Sequence, residues 1–342
     1  MADRERRSFR QTRGSIAVLP SNAGEQKVIM RRRDCLIGSF APALRAAGPG
    51  KDSIGANTAM AGYGLYQAID ALRRGGFATI EIHTMGAPAA IPGKFPGFEF
   101  GAMADAEKRR LRRSLQGFRH VTTHLPYADL SPFAPDREIA AESLRKISLA
   151  LDATAYFGAE LAVLHVVPPK GVEFGEVRAS AIRRIREWGD FAAAHRFKIG
   201  VETGYPASVE EFVAFVKAVG HDAVGCTIDV GHQSRYKELA ARVRPEERST
   251  LAGIRAYNDT THAIIDGLPG KIFHFHVHDI APVTWQEHRP IGTGFVDYPR
   301  LIEKLRQIDY RGLLVLEIAG PGTEIERLIA DGKRRLEAYL QS

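Results

Sequence analysis

The stretch Lys198-Ile199-Gly200-Val201-Glu202, then Ser208-Val209-Glu210-Glu211, then Val224-Gly225-Cys226-Thr227-Ile228-Asp229 decides how this chain folds. The two outer runs are short and apolar, the pattern of buried strands. Ser208 followed three residues later by Glu211 is a capping box, which opens a helix over 209–218. Gly220 stands where that helix has to end. The unit is strand, helix, strand, and both strands end on a carboxylate. A charge at the end of a buried strand is costly unless something pairs with it.

Working outward, the unit repeats. Strand-like runs fall at 35–40, 78–83, 119–124, 161–166, 198–202, 224–229, 272–278 and 313–318. Helical patterns lie at 63–74, 106–118, 139–157, 177–195, 209–218, 298–307 and 324–339, and 231–270 reads as a long connection mixing helix with loop. Gly75-Gly76 marks a helix end and Pro299 a first helical turn. Alternating strands and helices demand a parallel sheet under helical cover. Eight such units close into a (β/α)8 TIM barrel of the α/β class. A doubly wound open sheet would carry a Gly-x-Gly-x-x-Gly turn after its first strand, and the run at 35–40 has none. The connection 41–59, rich in Gly, Ala and Pro, reads as a long loop that could cover a pocket together with Tyr63 and Tyr66.

The chain has 342 residues, 44% hydrophobic and 25% charged, which is the composition of a soluble globular protein. No stretch approaches the roughly 20 apolar residues of a membrane span, and no apolar core follows the N-terminal arginines as a secretory signal would require. Cys35 and Cys226 are the only cysteines and both sit in apolar runs, so a disulfide framework is not expected and a cytoplasmic location is. The net charge is +7, but residues 1–33 alone carry +6. The reading is a basic N-terminal arm over 1–33 and a barrel over 34–342. With the charge confined to the arm, neither nucleic acid nor membrane is expected as a partner. Such an arm is solvated or packs on a second subunit, which leaves a homo-oligomer open.

Active-site residues of such a barrel project from the C-terminal ends of its strands. In chain order those ends carry His83, His124, His165, Glu202, Asp229, His276 and Glu317, with His232 on the turn after Asp229. One divalent ion would pair with several of the acids at once. Glu202, Asp229, His276 and Glu317 are the candidate ligands. Carboxylates with imidazole suit Mn2+, Zn2+, Co2+ or Fe2+ better than Ca2+. The absence of cysteine at the rim argues against a structural zinc site. His274, His276 and His278 alternate on one face of a strand and cannot all ligate one ion, so His278 is placed at the pocket rim. Asp279 orients a histidine or caps the following loop. Trp285 and Phe295 read as core or lid packing.

Five segments together resemble the xylose-isomerase-like barrels, a family of sugar isomerases and epimerases that also includes the type-IV apurinic endonucleases. They are Ile199-Gly200-Val201-Glu202-Thr203, Ile228-Asp229-Val230-Gly231-His232, Phe275-His276-Val277-His278-Asp279, His288-Arg289-Pro290-Ile291-Gly292-Thr293-Gly294 and Tyr310-Arg311-Gly312-Leu313-Leu314-Val315-Leu316-Glu317-Ile318. The resemblance to the epimerase branch implies one divalent metal, Mn2+ ahead of Zn2+, Co2+, Fe2+ or Mg2+, held by Glu202, Asp229, His276 and Glu317. It implies that Glu202 and Glu317 also exchange a proton with a sugar or polyol-type substrate through a metal-bound enediolate. His124, His165, His232, His288 and Arg289 would contact that substrate. The endonuclease branch uses three zinc ions and more histidines, several of which match here. Its Asp-x-His element departs at Gln286, whose neutral amide is a poor zinc ligand. The expected activity is therefore a metal-dependent sugar isomerase or epimerase. The alternatives are a lyase or rearrangement of an oxidised sugar or glycoside on the same site, or an apurinic-site phosphodiesterase.

Overall fold

Eight parallel strands pair in chain order and close on themselves. The structure, a computed structural model, describes residues 48–87 and 95–342. The strands are β1 (Ile54–Asn57), β2 (Thr79–His83), β3 (His120–His124), β4 (Leu161–Leu164), β5 (Lys198–Glu202), β6 (Val224–Asp229), β7 (Ile272–Val277) and β8 (Leu313–Leu316). The helices are α1 (Leu65–Arg74), α2 (Asp105–Ser114), α3 (Arg137–Phe157), α4 (Phe174–His195), α5 (Val209–Val219), α6 (Lys237–Arg242), α7 (Leu251–Gly267), α8 (Tyr298–Gln307) and α9 (Ile325–Gln341). The expected (β/α)8 barrel is what the chain builds.

One strand differs. The run 35–40, expected as the first strand, lies outside the described residues, and the barrel closes through Ile54–Asn57 instead. That strand falls inside the stretch read as a long loop. Its sequence hides it, because Gly55 and Ala56 carry almost no apolar side chain. Gly55 is small for a reason: a Cβ there would lie 2.5 Å from the Thr79 methyl group. Tyr63 donates to Glu326 at 2.9 Å, and Tyr66 lies under the Arg110 guanidinium. The basic arm 1–33 also lies outside the described residues. Among those described, no helix is long and apolar enough to cross a membrane.

Local signals hold where they were strong. At the head of α5 only half of the expected capping box forms: Ser208 accepts the Glu211 N–H at 3.3 Å and donates its hydroxyl to Glu238, but its own N–H goes to Pro206 O and the Glu211 carboxylate to Lys237. Asp136 caps α3 by accepting two backbone N–H groups, and Asp297 caps α8. Successive side chains of a strand point to opposite faces, and that sorts each strand here. Ile80, Ile82, Ile199, Val201, Phe275 and Val277 are completely buried in the hydrophobic core shared with the helices. The other parity is polar and equally buried: Glu81, Thr122, Thr227 and His274 sit inside the barrel at 0% exposure. A Cβ on Gly200 would lie 2.1 Å from the Thr227 hydroxyl, so only glycine lets β5 and β6 approach as they do. The barrel thus carries a polar interior layer beneath its mouth, and the strand-end residues stand on that layer.

Candidate active site

The four candidate ligands meet at one atom, Nδ1 of His276. Glu202 Oε1 lies 2.8 Å from it, Glu317 Oε2 3.0 Å and Asp229 Oδ2 3.9 Å. β6 and β7 bring Asp229 and His276 opposite each other in register. Glu202 ends β5, and Glu317 is the residue immediately after β8. Glu202, Asp229 and His276 are buried, while the Glu317 side chain keeps 20% exposure at the open side. One proton on Nδ1 cannot serve three carboxylates. Among the described residues, no lysine or arginine pairs with these acids; their ionic partners are histidines. Three carboxylate oxygens and one imidazole nitrogen around one point are the donor set of a divalent cation. The fit is to the chemistry of the donors, and it leaves the choice of metal open.

Electrostatics follow from the same crowding. Burial pushes the carboxyl of Glu317 up, but His276 beside it holds it well below the usual carboxylate range. Glu202 is held low in the same way by His165 and His276. Asp229 is lowered too, burial being outweighed by His232 and His278. Burial pulls His276 down, yet Glu317, Glu81 and Glu202 raise it well above an ordinary histidine.

Around this centre the histidines are oriented by backbone carbonyls. His124 Nδ1 donates to Leu125 O at 2.9 Å, His232 Nδ1 to Thr203 O at 2.8 Å and His288 Nδ1 to Glu317 O at 3.0 Å. A ring whose Nδ1 is tied to a carbonyl presents Nε2. His165 Nε2 lies 2.5 Å from Glu202 Oε2, and His124 Nε2 lies 3.6 Å from the same oxygen. His232 is raised to about 9, burial being outweighed by Asp229 and Glu202. Arg289 is exposed, with its backbone paired to Asp279 in both directions.

Three residues have roles that the sequence left open. His278 is not at the rim but fully buried. Its Nδ1 accepts the His288 N–H and its Nε2 lies 3.1 Å from Asp229 Oδ1. The same oxygen accepts the N–H groups of Gly231 and His232, so Oδ2 is the one left facing His276. Asp279 caps the loop. Its carboxylate accepts the N–H groups of Ile280, Gly292, Gly294 and Val296, at 2.8 to 3.1 Å. Trp285 is packing: it is buried edge-on against Tyr257, and the half-buried Phe295 packs edge-on against the same ring. Asp279→Ala would leave four N–H groups without an acceptor at a cost of about 3 kcal/mol. A denaturation midpoint several degrees lower is the expected reading, and an unchanged midpoint would count against this role.

Three residues went unnoticed in the sequence. Glu81 lies under the site and accepts from His276 Nε2 at 2.9 Å; it shares a face with His83, two residues on, which was the signal available. Tyr127 stands edge-on to His124 and tilted on His165. Glu287, next to the discounted Gln286, groups with His232 and His288 in a cluster that could itself hold an ion.

A profile of the family described as xylose isomerase-like TIM barrel matches residues 69–339. The chain belongs to the xylose isomerase-like TIM barrel family. An uncharacterized protein of Methanocaldococcus jannaschii is 23% identical over 206 residues, 58% of this chain and 64% of that relative's length. Among solved structures, a D-tagatose 3-epimerase-like protein superposes with a TM-score of 0.63 at 18% identity, covering 84% of this chain and 97% of its own. A D-psicose 3-epimerase solved with D-fructose gives 0.59 at 16%, covering 84% and 96%. For this xylose isomerase-like barrel, likeness at such identities fixes the fold, and the chemistry has to come from the side chains above.

Proposed function

We propose that the protein is a divalent-metal-dependent sugar epimerase or isomerase that moves a proton at the carbon beside a carbonyl. The observation that carries this is the convergence of Glu202 and Glu317, from strands three places apart, within 3.0 Å of one imidazole nitrogen. Glu202, Asp229, His276 and Glu317 would hold the ion, with Mn2+ the first choice. When bound, the ion supplies Lewis-acid polarisation of the carbonyl and its neighbouring hydroxyl, and offsets the negative charge that develops as the proton leaves. Glu202 and Glu317 each face the reacting carbon; one removes its proton and the other returns one from the opposite side. His124, His165, His232 and His288 would present Nε2 or its proton to substrate oxygens, and Arg289, exposed on the adjoining loop, would add a fixed fork of donors. A ketose is the substrate class proposed, by analogy with the D-psicose 3-epimerase that shares this fold.

The test is a Mn2+-loaded assay in heavy water against ketoses, inososes and oxidised glycosides. Deuterium at the carbon beside the carbonyl, together with an epimer or isomer, is the expected result. An elimination product with no exchange into recovered substrate would point to the lyase alternative.

One observation favours a second reading. Glu287, with His232 and His288, supplies a carboxylate where the endonuclease comparison lacked one, although Arg235 holds one of its oxygens at 2.8 Å. The mouth therefore offers donors beyond one ion. About one metal per chain supports the sugar reading, whereas three zinc ions with cleavage of abasic-site DNA would overturn it.

A further inference from the structure

We infer that Glu81 is a positioning residue for His276: it holds the proton on Nε2, so that Nδ1 is the nitrogen that gives up its proton and faces the three carboxylates when an ion binds. This rests on the reading of His276 as a metal ligand. Glu81 itself is no part of the mouth. It lies two residues before the end of β2, at 0% exposure, in the polar layer beneath the site. A carboxylate buried that deeply is costly without a partner, and among the described residues no lysine or arginine pairs with it. Its ionic contacts are His276 Nε2 at 2.9 Å and His274 Nε2 at 3.5 Å, and it also accepts the Thr122 hydroxyl at 3.1 Å. Nothing in packing alone calls for a charge there.

The competition at the imidazole gives the charge a purpose. A neutral ring carries one proton on one of two nitrogens, and the hydrogen bond made at one decides which nitrogen is free. Glu202 and Glu317, at 2.8 and 3.0 Å, pull that proton to Nδ1, where it would block the ligand position. Glu81, at 2.9 Å from Nε2, pulls the other way. Thr122, donating to the second oxygen, holds the carboxylate in place for this. A carboxylate behind a ligating histidine also raises the basicity of the ligating nitrogen, and losing such a partner costs roughly 10- to 100-fold in metal affinity.

The experiment titrates Mn2+ into the full-length wild-type protein, Glu81→Met and Glu81→Gln by calorimetry. It also follows the imidazole N–H protons of the same proteins loaded with diamagnetic Zn2+ by NMR, with His276→Gln to assign the His276 signal. Glu81→Met keeps the size but removes the acceptor, and is expected to bind Mn2+ about 10- to 100-fold more weakly and to lose the low-field, exchange-protected Nε2 proton. Glu81→Gln keeps a neutral acceptor and is expected to lose less than about tenfold, with that proton still present but shifted upfield. Wild-type affinity in a natively folded Glu81→Met overturns the role of Glu81 alone. Should Glu81→Met fail to fold, an unshifted Nε2 proton in Glu81→Gln overturns it instead. A wild-type protein that binds no Mn2+ overturns the metal reading, and this role with it.

Discussion

Stripped of divalent cation, the protein is expected to lose all turnover and to regain it when about one equivalent of Mn2+ is returned. Glu202, Asp229 and Glu317 are gathered around His276 with no lysine or arginine to offset them among the described residues. Without the ion, the proton on His276 is the nearest compensation. Burial pulls that histidine down, but Glu317, Glu81 and Glu202 more than reverse it, so the metal-free site favours the protonated ring. The ion must displace that proton from Nδ1. Uptake therefore releases a proton, and affinity is expected to rise about tenfold per pH unit as pH climbs toward the raised pKa of His276. The sign is fixed: acid favours the proton and alkali favours the metal. Binding also stabilises the fold, by about 2.7 kcal/mol when free metal is 100 times the dissociation constant. Calorimetry in buffers of different ionisation heat reads the released proton, and a thermal scan reads the stabilisation. Full activity in the stripped protein would sink the metal reading. An affinity flat with pH would show that His276 is not a ligand.

The site was legible at the strand ends because a charge finishing an apolar run has few reasons to be there. Glu202, Asp229 and Glu317 announced themselves this way, whereas the run through His276 ends on Asp279; the barrel brings the three acids within 4 Å of Nδ1 of His276. Glu81 was illegible for the opposite reason. It sits in mid-strand at Thr79-Ile80-Glu81-Ile82-His83, where His83 drew the eye as the strand end. Only closure of the barrel puts β2 across from β7, and no local pattern encodes that distance. β1 failed on composition, since Ile54-Gly55-Ala56-Asn57 has one large apolar residue. Its four residues count as a strand because β2 and β8 pair with it on both sides. Glu287 was missed differently, as the neighbour of the departure at Gln286. The sequence comparison fixed on one position, whereas the fold lets the adjacent Glu287 carboxylate reach His232 and His288.

Glu317→Gln is expected to lower kcat about 1000-fold, within the range usual for loss of a general acid or base, while the protein still takes up close to one Mn2+. The amide keeps an oxygen that can face the ion, so binding weakens without vanishing, but it cannot accept a proton from carbon at neutral pH. Of the two glutamates this one is the better test. Its side chain is 20% exposed and opens toward incoming substrate, whereas Glu202 is buried at 1% between His165 and His276. Changing Glu202 would disturb His165, His124 and His232 as well, and its effect on rate could not be separated from theirs. At Glu317 the separation is clean in kind: a ligand acting only on the metal would change affinity and kcat together, and excess Mn2+ would restore the rate. A proton carrier would leave kcat low at saturating metal and saturating substrate. The exchange assay divides the two steps further. If Glu317 serves one face of the carbon and Glu202 the other, Glu317→Gln should still exchange deuterium into one epimer while failing to interconvert the pair. Equal residual exchange into both epimers would mean that a single carboxylate, or water, does the work on both faces.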